Sequence, residues 1–102
     1  MYLNMILTTI QQEKQRIEYM LAKYQAEFDR LPKGSISEKK VGDKTYFYLK
    51  YRDKKKVVSR YISKAALDDI RLQVEKRKHI EAMIKSLHDE LQIANRILEE
   101  AI

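Results

Sequence analysis

The stretch Leu31–Ile62, LPKGSISEKKVGDKTYFYLKYRDKKKVVSRYI, holds the single proline of the 102-residue chain, both glycines and four of its seven tyrosines. It also holds ten Lys or Arg against three Asp or Glu, a local charge of +7 in a chain of net charge +6. The hydrophobic residues repeat every three or four positions before this stretch and every two positions within it. The stretch therefore decides the fold and also concentrates the positive charge.

Three strands are predicted inside the stretch. Ser35 to Val41 is polar, Thr45 to Tyr51 is dense in aromatic and β-branched residues, and Lys56 to Ile62 alternates. Gly42-Asp43 is typical of a tight turn, and Arg52 to Lys55 forms the second turn. Connections this short predict an antiparallel meander.

Alternation along the strands assigns two faces to this sheet. The more apolar face, predicted to pack on the helices, holds Ile36, Phe47, Leu49, Tyr51, Val58 and Ile62. The opposite face holds Tyr46, Tyr48, Lys50, Arg52, Val57, Ser59 and Tyr61. Arg60 falls on the apolar face and would have to extend its guanidinium past the sheet edge. A slip of one residue would exchange the two faces.

The flanking segments carry heptad stripes typical of two long helices. The first stripe, broken only by Lys14, consists of Leu3, Leu7, Ile10, Ile17, Leu21, Tyr24, Phe28 and Leu31. Pro32 and Gly34 end this helix. Ser63 is the predicted N-cap of the second helix. Its stripe, broken by Gln73 and Arg77, consists of Ala66, Ile70, Ile80, Ile84, Leu87, Leu91, Ala94, Leu98 and Ala101.

The predicted fold class is α+β, with two long antiparallel helices in a coiled-coil-like hairpin, connected by a three-stranded antiparallel β-meander at the tip. We predict a single domain, 1–102, with helix 1 over 1–31, the meander over 35–62 and helix 2 over 64–101. A two-helix seam leaves apolar residues uncovered, namely Tyr2, Met5, Ile6, Met83, Ile93 and Ile97. They predict a homodimer, as a four-helix bundle; the alternative is that they close a monomer or fray in solvent.

Composition narrows the classes of function. The chain has no cysteine, so disulfides and Cys-based zinc sites are excluded. No apolar run approaches the roughly 18 residues that span a membrane, and a cytoplasmic protein without membrane contact is expected. Glu75 and His79 have the i, i+4 spacing of metal ligands, but no third ligand is evident, and His88 lies on another face. We predict no enzymatic activity, metal, cofactor or small-molecule substrate.

The basic sheet is the predicted binding site, and its partner is nucleic acid or a nucleic-acid-processing protein. Tyrosines that stack on bases, set among cations that contact phosphate, are typical of nucleic-acid binders. The candidate residues are Lys39, Lys40, Lys44, Tyr46, Tyr48, Lys50, Arg52, Lys54, Lys55, Lys56, Arg60 and Tyr61. The structural alternative is that the tyrosines pack and the lysines protect the strand edges.

The segments LPKGS, YFYLKYR and KVVSRYI resemble a family of small proteins of bacteria and their mobile elements, with the pattern LPxGS, YYYLxYR, KVxSKYI. Similar strand patterns occur in some transposase-like proteins. The resemblance covers about residues 31–62 and implies the helix–meander–helix arrangement. The family has no established activity, so no site is carried over. This chain departs from the pattern at Lys54 and Lys55, where Gly or Asn-Gly is common.

Three hypotheses follow. The first is a non-enzymatic nucleic-acid-binding or nucleoprotein-associated module, in which the stalk dimerises and the sheet contacts phosphate. The second is a protein-interaction module, such as a mobile-element or phage-encoded inhibitor of a host nucleoprotein enzyme, for example a CRISPR effector. The third is a structural coiled-coil spacer.

Overall fold

The computed structural model describes the backbone of residues 2–101 and the side chains of residues 4–101. It confirms the α+β class, with one long helix before and one after a three-stranded antiparallel sheet in the chain. In chain order the elements are α1 (Tyr2–Arg30), β1 (Ser35–Val41), β2 (Lys44–Asp53), β3 (Lys56–Ile62) and α2 (Lys64–Glu100). The described chain forms two compact units. One holds α1 through Asp29 and α2 from Ile80 onward; the other holds Arg30–His79.

The helical unit is organised around the heptad seam. Ile17 of α1 and Ile80, Leu87 and Ala94 of α2 are buried, and the other described seam residues of this unit from Leu7 to Leu98 are half-buried. Lys14, the one break in the first stripe, is half-buried as well, which places its aliphatic stem along the seam. Arg16 lies within electrostatic reach of Glu90, as expected for antiparallel helices.

The sheet has the order β1-β2-β3, and its register confirms the predicted facing. Leu49, Ile62 and Val74 of α2 form the buried cluster of this unit. The residues packed around the cluster are Ile36, Phe47, Tyr51, Ala66, Leu67 and Ile70. Burying each large aliphatic side chain contributes about 1.5–3 kcal/mol, so this cluster fixes which face of the sheet meets α2.

Both connections of the meander are two-residue turns. Gly42 has φ +61° at the first turn, as the sequence predicts for that position. The second turn is shorter than predicted. Strand β2 continues through Arg52 and Asp53, Asp53 pairs with Lys56, and Lys54-Lys55 alone form the turn. Lys54 makes this possible by adopting a left-handed conformation with φ +57°.

Polar side chains make hydrogen bonds at the C-terminus of α1 and at the N-terminus of α2. Ser63 accepts a hydrogen bond on its Oγ from the Ala66 backbone N–H at 3.3 Å, which confirms it as the N-cap of α2. Arg77 donates from Nη1 to the carbonyl oxygen of Leu31 at 2.8 Å. Leu31 directly follows α1, where carbonyl groups lack intrahelical partners. Arg77 interrupts the apolar stripe of α2 because its guanidinium makes this hydrogen bond, which stabilises the structure.

Gly34 joins the end of α1 to the sheet through a close backbone approach. Its φ is +115°, and a Cβ at this position would collide with the Lys50 carbonyl oxygen and lie 2.9 Å from the Tyr51 Cβ. Ser35, the next residue, pairs with Lys50 at the start of β1. The absence of a side chain at Gly34 thus lets β1 enter the sheet beside β2 in its observed register.

We expect Gly34→Ala to lower the free energy of unfolding by about 2–4 kcal/mol, because backbone strain and a clash with β2 add together. Gly42→Ala is the matched control. Gly42 also has positive φ but has open space around it, so its replacement costs about 1 kcal/mol. Urea denaturation of both variants measures the difference. Equal losses would show that the approach of Gly34 to β2 does not constrain the fold.

Candidate nucleic-acid interface

The face of the sheet that points away from the buried cluster is called the outer face. The register assigns to it Ser35, Ser37, Lys39, Val41, Lys44, Tyr46, Tyr48, Lys50, Arg52, Val57, Ser59 and Tyr61. It therefore holds four cationic residues and no Asp or Glu. The carboxylates of this segment lie elsewhere: Glu38 and Asp53 belong to the opposite face, and Asp43 lies in the first turn.

Cross-strand pairing arranges the inner part of the outer face in rows. Lys50 lies between two serines, Ser35 on β1 and Ser59 on β3. In the adjacent row, Tyr48 lies between Ser37 and Tyr61. Because serine is small, the Lys50 side chain stands between short neighbours.

The cations form the margin of this arrangement. Lys39 pairs with Tyr46 on the β1 edge, and Arg52 pairs with Val57 near the second turn. Lys44 lies at the start of β2, next to the first turn. The outer face thus has hydroxyl groups and one lysine at its centre and cations at its periphery.

Three tyrosines form an aromatic cluster on the outer face. The Tyr61 ring lies 5.9 Å from the Tyr48 ring at an interplanar angle of 68°, and 6.4 Å from the Tyr46 ring at 54°. The Tyr48–Tyr61 pair is edge-to-face and the Tyr46–Tyr61 pair is tilted. An edge-to-face pair contributes about 0.5–1.5 kcal/mol beyond the area it buries. Tyr46 and Tyr48 are half-buried, while Tyr61 is 58% exposed. The cluster stabilises the sheet and leaves Tyr61 as its most accessible ring.

A shallow depression of about 520 Å³ lies over the centre of the outer face. Its lining consists of Ser37, Glu38, Lys39, Tyr48, Lys50, Val57 and Ser59. Glu38 belongs to the opposite face by register, yet it borders the depression between Ser37 and Lys39 and is the one carboxylate there. The hydroxyl and ammonium groups donate hydrogen bonds, and Val57, which is 66% exposed, offers an apolar contact. Ser35, Ser37 and Ser59 are not among the binding residues predicted from the sequence, and their pairing with Lys50 and Tyr48 is the signal that identifies them.

The structure divides the twelve predicted binding residues into three groups. Seven lie on the outer face: Lys39, Lys44, Tyr46, Tyr48, Lys50, Arg52 and Tyr61. Lys40, Lys56 and Arg60 have the opposite facing and are exposed, so Arg60 does reach solvent from the apolar side. Lys54 and Lys55 form the second turn. The binding set that one face brings together is therefore smaller than the predicted one.

Lys54 is in a conformation that lysine seldom adopts. Among residues 2–101 it is the one non-glycine residue with positive φ. The left-handed region costs an ordinary L-residue about 1–2 kcal/mol, and glycine or asparagine would reduce that cost. Such strain is often retained where the side chain has a function. Here the turn places the ammonium groups of Lys54 and Lys55 next to each other, beyond the end of the outer face.

The residues predicted to self-associate belong to the helical unit. Met5, Ile6, Ile93 and Ile97 are exposed, with Met5 at 68%, and Met83 is half-buried. The Tyr2 side chain lies outside the described residues. Ile6, Met83 and Ile97 each directly precede a seam residue, so they share one flank of the helix pair, together with half-buried Met20. Glu13, Glu27 and Glu90 alternate with them on the same flank. The opposite flank, which follows the seam, carries Gln11, Glu18, Gln25, Glu81, His88 and Asn95.

The part of the chain that the structure describes contains no group of three His, Asp or Glu side chains placed to hold a metal ion. None of its helices combines the length and the apolar character that crossing a membrane requires.

Comparison with protein families matches residues 10–72 to a domain of unknown function, DUF6788. The chain belongs to the DUF6788 family. No curated protein and no solved structure matches it. The result agrees with the resemblance in the sequence to a family without an established activity. The DUF6788 match contains every residue of the sheet, whereas Tyr2, Met5, Ile6, Met83, Ile93 and Ile97 all lie outside it.

Replacing Lys54 tests the strain at the second turn. We expect Lys54→Gly to raise the free energy of unfolding by about 0.5–1 kcal/mol, because relief of the left-handed conformation exceeds the entropic cost of glycine. Lys55→Gly is the control; Lys55 has no positive φ, so the substitution should destabilise. Urea denaturation midpoints measure both variants. A Lys54→Gly protein no more stable than Lys55→Gly would contradict strain at Lys54.

Proposed function

We propose that this DUF6788 protein is a non-enzymatic, cytoplasmic nucleic-acid-binding protein that uses the outer face of its sheet. We also propose that the protein comes from a bacterium or a mobile element, as the sequence resemblance implies. The observation that carries it is the charge of that face, which holds four cationic residues and no carboxylate. Such a surface attracts a polyanion and releases the counterions that the polyanion has condensed.

The distribution of charge elsewhere supports this proposal. Cations on the helices lie beside carboxylates, as in the Arg16–Glu13 pair at 2.9 Å and the Lys78–Glu75 pair at 3.8 Å. The hydrogen bond from Arg16 to Glu13 raises the pKa of Arg16. Pairs of this kind keep a helix surface soluble without a strong field. The register places no carboxylate on the outer face, and Glu38 is the one acid that borders its depression, so most of its cations remain available to phosphate groups.

The test is a titration of labelled nucleic acid with purified protein at several salt concentrations. If four to six phosphates are contacted, log K falls with log salt at a slope of about −3 to −5. A triple variant Lys39→Gln, Lys44→Gln and Arg52→Gln removes three peripheral cations. We expect it to reduce the magnitude of that slope by about 2–3, because each lost phosphate contact removes nearly one unit.

The control variant carries Lys23→Gln, Lys85→Gln and Arg96→Gln, which removes the same net charge from exposed positions on α1 and α2. It should keep a slope within about one unit of the wild type. Equal slopes for the two triple variants would show that binding follows net charge and not the outer face. If folded wild-type protein binds no nucleic acid, the proposal fails, and capture of a protein partner would then favour the interaction-module hypothesis.

We also propose that the protein forms a homodimer through the flank that carries Ile6, Met20, Met83 and Ile97, giving a four-helix bundle. The two flanks of the helical unit differ in character, because this one carries four apolar residues alternating with glutamates, whereas the described residues of the opposite flank are all polar. A second copy presents the same apolar stripe, so a two-fold arrangement covers both stripes at once. The paired charges of Glu13 and Arg16 lie within this stripe and would set the register.

Sedimentation equilibrium tests the dimer. We expect wild-type protein to sediment as a dimer at about 50 µM, and Ile6→Lys with Ile97→Lys to give a monomer, because two ammonium groups would have to be buried. Gln11→Lys with Gln25→Lys adds the same charge on the polar flank and should leave the dimer intact. A monomeric wild type would refute self-association without affecting the proposed binding to nucleic acid.

A further inference from the structure

We infer that the nucleic acid is double-stranded DNA, and that the outer face lies in its major groove with Lys50 at the edges of the bases. This inference rests on the proposed function and specifies the class of ligand. Three observations support it: the size of the strands, the orientation of the tyrosine rings and the placement of serines around Lys50.

The size of the strands suits the major groove of B-form DNA. The major groove is about 12 Å wide and 8.5 Å deep and admits a two-stranded β-ribbon. At a strand spacing of about 4.8 Å, the central strand β2 can enter it together with one neighbouring strand, while the third strand lies at the groove margin. The major groove of double-stranded RNA is deep and narrow, so the same sheet is excluded from it. The fit therefore distinguishes DNA from RNA duplexes.

The tyrosine cluster argues against a single strand as the main ligand. Binding of successive unpaired bases requires aromatic rings that are open for stacking. Here Tyr46 and Tyr48 are half-buried, and both are inclined to Tyr61, by 54° and 68°. Both rings therefore pack against Tyr61. One exposed ring, Tyr61, does not make a continuous platform for a strand of bases.

The inner rows of the outer face have the chemistry that reads base edges. Lys50 stands between Ser35 and Ser59, and Val57 borders the same depression. A lysine ammonium donates to the O6 and N7 atoms of guanine, serine donates to or accepts from any base, and an aliphatic group contacts the thymine methyl group. Lys39, Lys44 and Arg52 lie around this centre, where contacts to phosphate position the protein. Lys50 is the predicted specificity-determining residue, with a preference for guanine.

The first experiment compares four labelled ligands of one sequence and length at equal salt: duplex DNA, duplex RNA, single-stranded DNA and single-stranded RNA. We expect duplex DNA to bind at least tenfold more tightly than each of the other three. Tighter binding of a single strand or of duplex RNA would overturn this inference and leave the proposed function in place. Absence of binding to all four would refute the proposed function itself.

The second experiment tests Lys50 by selection from a random duplex DNA library. We expect wild-type protein to select sites that contain guanine, and Lys50→Ala to bind such a site about 5- to 150-fold more weakly with its preference relaxed. Lys44→Ala should weaken binding to all sequences alike, and Lys50→Arg should keep the guanine preference. Circular dichroism confirms that each variant is folded.

A modified base then identifies the groove. Replacing the preferred guanine with 7-deazaguanine removes the N7 acceptor from the major groove and leaves the minor groove unchanged. Wild-type protein should lose a measurable part of the affinity that Lys50→Ala loses, because the O6 acceptor remains, and Lys50→Ala should show little further loss on the modified duplex. Unchanged wild-type affinity for the modified duplex, or unchanged selectivity in Lys50→Ala, would overturn the assignment of Lys50 to the base edges.

Discussion

The close approach of Gly34 to the central strand is the constraint on which the sheet depends. The chain leaves α1 at Arg30 and begins β1 only five residues later. Within that distance it passes directly over the Lys50 carbonyl group, in a conformation that a side chain would obstruct. This passage sets Ser35 opposite Lys50, and antiparallel pairing then fixes every other partner of β1. One glycine thus determines which residues of β1 lie on the outer face.

Strand β2 serves both core packing and the outer face, because its side chains point alternately to opposite sides of the sheet. Leu49 is buried against Ile62 and Val74, while its neighbours Tyr48 and Lys50 point to the outer face. The energy that holds the sheet comes from the apolar side and from the tyrosine pairs. The lysines contribute little to it, since exposed charges in water interact weakly. The outer face can therefore carry uncompensated charge without unfolding the sheet.

Periodicity in the sequence predicted the helices, the seam, the three strands and the facing of the sheet, because each of these depends on residues a few positions apart. The length of β2 was not predicted, since a lysine at positive φ has no signature in residue type. The partner of Arg77 was also out of reach, because Leu31 lies 46 positions away. The serine rows around Lys50 required the register, which only the pairing of β1 and β3 with β2 provides.

The distribution of carboxylates between the sheet and the helices favours a polyanionic ligand for the outer face. If the lysines served solubility alone, acids would be interspersed with them, as they are on α1 and α2. The sheet segment does contain acidic residues, but Glu38 and Asp53 belong to the opposite face by register and Asp43 lies in a turn. Edge protection accounts for a lysine on β1, yet Lys50 and Arg52 are on the central strand, which has no free edge. Their placement therefore supports a role in binding.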